Sequence, residues 1–458
     1  MTAAVRSTRP DDPHRSGERP VRNAQPGFWV RRLTGLYTLA AAGAARFSSW
    51  WLRRSGRWPE EGIRQRRGDL LPPAPPSSPI WVHGASMGEA RVGGYFAHAL
   101  AERNAPAIAS AMTEPGFRLC RDAYPGGTSC FRVPFDLPGP VRRVLSHFRP
   151  RALVLVETEW WPNLLRGAAA FGVPVFVING RISRKAYRRY RLSAPYWRAV
   201  LRGVEFFYMR SEADADRLIS LGIDRIRVTA AGLLKVLPPV RSSETGRLGL
   251  PGADREVTPI WVAGCTRSGE EPIILEAFRA LQGEFDSLCL WLAPRHPERF
   301  SEVVALARRA GYQPVRWSEV QGPISQKVGI PVVVIDEMGI LAELYGWAAV
   351  AFVGGSMRPF GGHNPLEPAL AGTMVVFGPH MEEQHEAAAM LLDAGLALQV
   401  QDAPSLAKAV AAMLRSRCKA EVRQVRADEL RERLLRVRSR VADDLIARLK
   451  ALDSGRVG

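Results

Sequence analysis

The sequence predicts an α/β protein built from two Rossmann-like, doubly wound domains facing a cleft. Three observations carry this. Short apolar runs alternate with helical stretches, first from Ile80 and again from Ile260, the pattern of parallel sheets with helical crossovers. Between the two series, Leu237 to Pro259 holds Pro, Ser, Gly and charge without periodicity and reads as a linker. Each glycine- or charge-rich motif follows directly on an apolar run, and in such sheets ligands bind at the carboxyl ends of the strands.

The elements follow in order. Residues 1–27, rich in Arg, Pro and Asp, read as a disordered tail. The 28–56 segment is apolar, aromatic and basic. A spanning helix needs about 20 apolar residues, and Gly35, Gly43, Arg46, Ser48 and Ser49 dilute this one. Trp50-Trp51 suits the headgroup level, and Arg31, Arg32, Arg53 and Arg54 flank the stretch. We expect a membrane-associated helix lying in the interface. A buried core helix and an export signal, which Arg31-Arg32 mimics, are the alternatives. Leu71 to Pro79 is a stiff spacer. Strands are expected at Ile80–His83, Ala107–Ser110, Ala152–Val156, Val173–Ile178, Phe206–Met209 and Ile226–Thr229, then at Ile260–Ala263, Leu288–Leu292, Val332–Ile335, Val350–Val353 and Met374–Phe377. The resulting division is a first domain over 57–240, a linker at 241–258, a second domain over 259–415 and a helical segment over 416–458.

A net charge of +18 over 458 residues seeks a polyanion: nucleic acid, anionic lipid or a phosphorylated substrate. No RNA-module signature accompanies it, which argues against nucleic acid. The five cysteines include no C-x-x-C, so neither a disulfide framework nor a zinc site is indicated. Neither a Ser–His–Asp order nor H-E-x-x-H is present, which disfavours hydrolases and zincins.

The most informative motif is G-G-H-N-P-L-E-P-A-L-A from Gly361, preceded by the Val350–Val353 run and Gly354-Gly355. Asn364 is placed as an N-cap and Pro365 as the first helical residue. A glycine-rich turn feeding a helix start suits a phosphate, and Glu367 can accept hydrogen bonds from ribose hydroxyls. An ordinary capped helix is the plain alternative. In H-G-A-S-M-G-E at His83, Glu89 stands at a helix start, where the dipole is expected to hold it ionised as a general base. Ser86-x-x-Glu89 equally fits a capping box. Glu157 and Glu159 follow the next strand and suit substrate hydroxyls or, weakly, a cation; a solvated loop is the alternative. Asn179 to Arg191 packs Arg181, Arg184, Lys185, Arg188, Arg189 and Arg191 into one segment, a phosphate or acidic-sugar binder or a solvated basic face. Ser268-x-x-Glu271 allows another capping box, Arg295 in P-R-H-P-E-R is placed to clamp a phosphate or carboxylate, and the Asp336–Ile340 loop to line a base pocket.

Taken in order, H-G-A-S-M-G-E at His83, E-T-E-W-W-P-N at Glu157, N-G-R-I-S-R-K-A-Y at Asn179, P-R-H-P-E-R at Pro294 and G-G-H-N-P-L-E-P at Gly361 resemble the transferases of 3-deoxy-D-manno-octulosonic acid (Kdo). The resemblance runs from about Leu36 to Leu414. It implies a GT-B fold with donor in the second domain and acceptor in the first. It implies transfer from CMP-Kdo to a lipid A precursor, inverting, with neither metal nor cofactor, at the cytoplasmic face of the inner membrane, with anionic lipids as the surface. Carried over by position, Glu89 is the proton acceptor. Pro294, Arg295, Met338, Gly339, Ile340, Asn364, Pro365, Leu366 and Glu367 contact the nucleotide. Glu157 and Glu159 fall on the acceptor side. The charge of the basic segment, apart from the resemblance, makes Arg181 and Lys185 candidate acceptor or sugar binders. Three departures stand out: Ile340 where the family has Glu, Leu233 where it has Asn, and Cys265-Thr266-Arg267 where it has S-T-H. They leave open a changed donor, and a non-catalytic membrane-bound polyanion binder is the remaining alternative.

Overall fold

Strands buried on both faces need apolar side chains at every position, and the Ala152–Val156 strand, A-L-V-L-V, is buried throughout. The computed structural model describes residues 28–54, 60–234, 259–319, 331–416 and 420–455. The expected tail over 1–27 and linker over 241–258 lie outside these residues.

The first sheet contains β1 (Ile80–His83), β2 (Ala107–Ala111), β3 (Ser129–Arg132), β4 (Ala152–Val156), β5 (Val175–Gly180), β6 (Val204–Met209) and β7 (Val228–Ala230), ordered β3-β2-β1-β4-β5-β6-β7. The second contains β8 (Ile260–Thr266), β9 (Cys289–Pro294), β10 (Val315–Arg316), β11 (Val332–Val334), β12 (Val350–Val353), β13 (Met374–Phe377) and β14 (Ala397–Gln399), ordered β10-β11-β9-β8-β12-β13-β14. Every pairing is parallel. Each order reverses at one place, between β1 and β4 and between β8 and β12. A crevice opens at such a reversal, and the four loops leaving these strands carry most of the motifs.

The short β3, β10 and β14 were not expected, being brief or polar. The strand expected at Ile226 begins instead at Val228, because Asp224 Oδ1 accepts from the Ile226 amide at 3.2 Å and winds Arg225–Arg227 into a 3₁₀ turn.

The amino-terminal helix, Phe28–Arg54, packs on the helices Pro162–Ala170 and Ala194–Leu201. It leaves Phe28, Trp29, Leu36, Leu39, Phe47 and Trp50 exposed. No helix among the described residues is long and apolar enough to cross a membrane.

The lobes share two apolar joints. Leu233, at the end of the first lobe, is 5 % exposed and sits among Val353, Leu366, Phe377 and Leu434 of the second-lobe core. The 35-residue helix Ala420–Ser454 places Leu430 and Leu434 in that core, then Val441, Ala442, Leu445 and Leu449 in the core of the first lobe. Ion pairs reinforce its return: Arg438 to Glu102 at 2.9 Å and Arg103 to Asp443 at 2.6 Å.

Candidate active site

On the first bank, β1 ends in His83, fully buried. Its Nδ1 lies 2.9 Å from Ser110 Oγ and its Nε2 3.8 Å from Glu159 Oε2. The ring meets Trp161 edge-on at 5.4 Å. The turn after it is tight: a Cβ on Gly84 would lie 2.7 Å from the Glu89 carbonyl carbon, so only glycine lets the helix start this close to β1.

Glu89 forms the capping box of the helix Met87–Ala101, accepting from the Ser86 amide at 2.9 Å while Ser86 Oγ accepts from the Glu89 amide at 3.3 Å. The lowering expected from the helix start does not prevail. Burial raises its carboxyl above the ordinary 4.5; the Ser86 amide and His83 oppose this, and Glu159 and Glu157 add to it. Three carboxylates therefore share this bank. Glu157 adopts a left-handed φ of 62°, as does Asn179 at 51°, and Asn179 Nδ2 lies 3.4 Å from Glu157 Oε1. Non-glycine residues so held store about 1–3 kcal/mol each, maintained by surrounding contacts. Glu159 accepts from Trp161 Nε1 at 2.8 Å.

On the second bank, the glycine-rich turn after β12 is already occupied by protein. Glu270, 0 % exposed, accepts from the amides of Gly355 (2.7 Å), Ser356 (2.9 Å), Met357 (2.9 Å) and Arg267 (2.8 Å). The amides from Gly355 to Met357 are thus not available to a phosphate: a buried carboxylate takes them and fastens the turn to the loop after β8. Gly354 is required there, since a Cβ would lie 2.3 Å from the Cys265 carbonyl oxygen. The Ser268–Glu271 capping box does not form either. Glu271 is buried and receives Arg299 at 2.7 Å and Thr266 Oγ1 at 2.8 Å.

The helix after the Gly361 motif begins one residue later than expected, at Leu366, with Pro365 as its N-cap. Asn364 Oδ1 still accepts from the Leu366 amide at 3.3 Å, and its Nδ2 donates to Glu367 Oε1 at 3.0 Å. Burial pushes the neighbouring Cys265 thiol up to about 11; Glu367 raises it and Arg295 lowers it. Arg295 and Glu367 thus act on the same spot. His363 is driven down to about 4 by burial, Arg295, Arg267 and His296. Arg267 Nη1 lies 2.6 Å from His296 Nε2 and its guanidinium stacks on Phe360 at 4.6 Å. Arg267, Arg295 and His296 thus gather around His363.

Pro294 and Leu366 are buried, the latter in the core. Met338 and Gly339 form an exposed turn, with Gly339 at φ 93°. Ile340 is partly buried and packs against the second-lobe cluster that contains Trp291 and Tyr345. Lys185 is exposed on the helix Arg184–Leu192. Arg181 reaches across the cleft to Glu383, and Arg210 pairs with Glu386 at 2.9 Å. Among the described residues no trio of His, Cys, Asp or Glu is grouped as a metal requires. The sequence reading missed Arg210, Glu270 and the Ser110–His83 contact. Each is an ordinary residue in its own segment, and only the fold brings its partner near.

Two parallel-sheet lobes, joined at Leu233 and bridged by Arg181–Glu383 and Arg210–Glu386, make the GT-B fold of a glycosyltransferase. A glycosyltransferase from Rickettsia africae shares this fold at 11% identity with a TM-score of 0.57, over 82% of this chain and 99% of that one. The profile of the 3-deoxy-D-manno-octulosonic-acid transferases matches residues 52–237. A 3-deoxy-D-manno-octulosonic acid transferase from Bordetella pertussis is 33% identical over 81% of this chain and 88% of its own. One from Haemophilus influenzae is 29% identical over 75% and 81%. The chain belongs to the 3-deoxy-D-manno-octulosonic acid transferase family.

Proposed function

We propose that the protein transfers Kdo from CMP-Kdo to a hydroxyl of a lipid A precursor, with inversion and without metal or cofactor. The carrying observation is Glu89, half-buried beside two further carboxylates with its own carboxyl raised. A raised pKa makes the carboxylate a stronger base. Glu89 takes the acceptor proton as the hydroxyl oxygen bonds to the anomeric carbon. The bond from that carbon to the CMP oxygen breaks, and the charge leaves on the phosphate. Arg295, assisted by Arg267 and His296, receives that charge.

Pro294, Met338, Gly339, the backbone of Ile340, Asn364, Pro365, Leu366 and Glu367 hold the nucleotide. Glu157 and Glu159 hold acceptor hydroxyls, and Arg181 and Lys185 hold acceptor phosphate or the Kdo carboxylate. The exposed aromatic face of the amino-terminal helix and the basic helix Arg184–Leu192 seat the protein on anionic lipid at the cytoplasmic face of the inner membrane. Flotation with anionic and with neutral vesicles tests that seating.

The test of the reaction is mass-spectrometric detection of Kdo added to a lipid A precursor by wild type and by Glu89→Gln. Product from the first and at most about a hundredth of its rate from the second is expected; equal rates remove Glu89 from this role. A second reading, a changed donor, is favoured by Ile340, a side chain partly buried against the core that offers a nucleotide no hydrogen bond. Thermal stabilisation by UDP and not by CMP would select it.

A further inference from the structure

We infer that the amino-terminal helix is a positioning element of the acceptor loop, its Tyr37–Thr38 turn holding the start of the Pro162–Ala170 helix in place. This rests on the acceptor role proposed above for Glu157 and Glu159.

A helix start leaves backbone amides without partners, and Trp161, the N-cap here, gives them no side-chain acceptor. Asp136, from a distant loop, caps the helix instead. Its Oδ1 accepts from the Leu164 amide at 2.7 Å and its Oδ2 from the Asn163 amide at 3.1 Å. Its carbonyl accepts from Asn163 Nδ2 at 2.7 Å. A carboxylate buried this deeply is costly unless well satisfied. Burial raises the Asp136 carboxyl, and the Asn163 amide, Tyr37 and the Leu164 amide hold it back.

Tyr37 and Thr38 come from the amino-terminal helix. The Tyr37 phenol faces the Asp136 carboxylate. Thr38 Oγ1 lies 3.1 Å from Asn163 Oδ1 and 2.7 Å from the Thr34 carbonyl, with Thr34 itself 2 % exposed. A helix that only met lipid would need no polar inner face. Here that face is hydroxyl-bearing and closes onto the caps of another helix.

The next residues back along the chain are the acceptor loop. Trp161 donates to Glu159, and its ring braces His83. Contacts therefore run without a gap from Thr38 through Asn163 and Trp161 to Glu159 and His83, beside Glu89. Loosening a supporting contact displaces reacting groups, and misplacement by about 1 Å can cost a hundredfold in rate.

The experiment uses the full chain with Tyr37→Phe, Thr38→Val and both together. Tyr37, itself 36 % exposed, keeps its ring in Tyr37→Phe, and the other exposed aromatics of the helix are unchanged. Three quantities are measured: hydrogen exchange over residues 157–165, kcat and donor KM with a short-chain soluble acceptor, and flotation with anionic vesicles. The double variant should exchange the Asn163 and Leu164 amides faster and lose roughly ten- to hundredfold in kcat. Donor KM and flotation should match wild type, and Thr38→Ser should retain both protection and rate. Unchanged exchange, unchanged kcat, or a rate loss that tracks flotation overturns the inference. Should wild type transfer no Kdo, the acceptor reading fails, while exchange alone still decides whether this helix holds the loop.

Discussion

Arg210 at the start of the loop after β6 reaches Glu386 of the other lobe at 2.9 Å, while Asp214 of its own lobe stands 3.6 Å away. The Arg210 side chain is 9 % exposed, and burial lowers its guanidinium below the ordinary range. The nearby Arg181–Glu383 bridge spans the same cleft with its Glu383 side more than half exposed. The two bridges differ in environment and should differ in weight.

Glu386→Gln should therefore destabilise the protein by about 1–3 kcal/mol, because it leaves a desolvated cation under-compensated. Glu383→Gln should change stability by less than about 1 kcal/mol, as exposed pairs do. Urea unfolding at low and high salt checks both; only the second effect should shrink with salt.

Glu89→Gln should lower kcat by about 10²–10⁴-fold without lowering the melting temperature at neutral pH. The folded carboxyl value lies above 4.5, so the fold favours the protonated form. That stabilisation is full below the unfolded value and lost as pH rises through the raised folded one. Glutamine removes the charge and can still accept from the Ser86 amide. Calorimetry alongside the transfer assay tests the pairing of lost rate with retained stability.

Glu270→Ala should cost at least about 3 kcal/mol and abolish CMP binding. Four amides would lose one acceptor at once, and each buried unpaired amide costs roughly 1–3 kcal/mol. Glu270→Gln should be intermediate, since its NH₂ group would face amide donors. Thermal melting and titration calorimetry with CMP give the two quantities.

His363 should titrate at about 4 in the free protein and higher with CMP bound, because a phosphate offsets the cations that depress it. In the free protein the folded value lies below the unfolded 6.5. Its contribution to stability is thus full above 6.5 and lost as pH falls through about 4. Histidine NMR with and without CMP decides; an unchanged value on binding places the phosphate elsewhere.

Leu233→Asn should destabilise by about 2–4 kcal/mol, although related proteins were expected to carry Asn there. The side chain is buried among Val353, Phe377 and Leu434, and an amide placed there lacks partners. Denaturant unfolding measures it.

The alternation of apolar runs was enough to read two parallel sheets, because strands buried on both faces leave an unbroken apolar mark. Motif positions were legible for the same reason: they begin where a strand stops. What the sequence hid were contacts between segments. Glu270 looks like any helix-start acid until Gly355, eighty-five positions on, folds back against it. Asp136 and Arg210 show no local pattern at all. Glu89 was found, but burial governs its carboxyl more than the helix start does, and the Glu157 and Glu159 that add to this arrive from the loop after β4.

The Ala420–Ser454 helix gives the polypeptide a second passage between its halves, and its last turns complete the hydrophobic interior begun by β1 to β7. The amino half is consequently not a self-contained folding unit. Exchange of halves between related enzymes, in evolution or at the bench, has to carry this terminal splint with the amino half it seals.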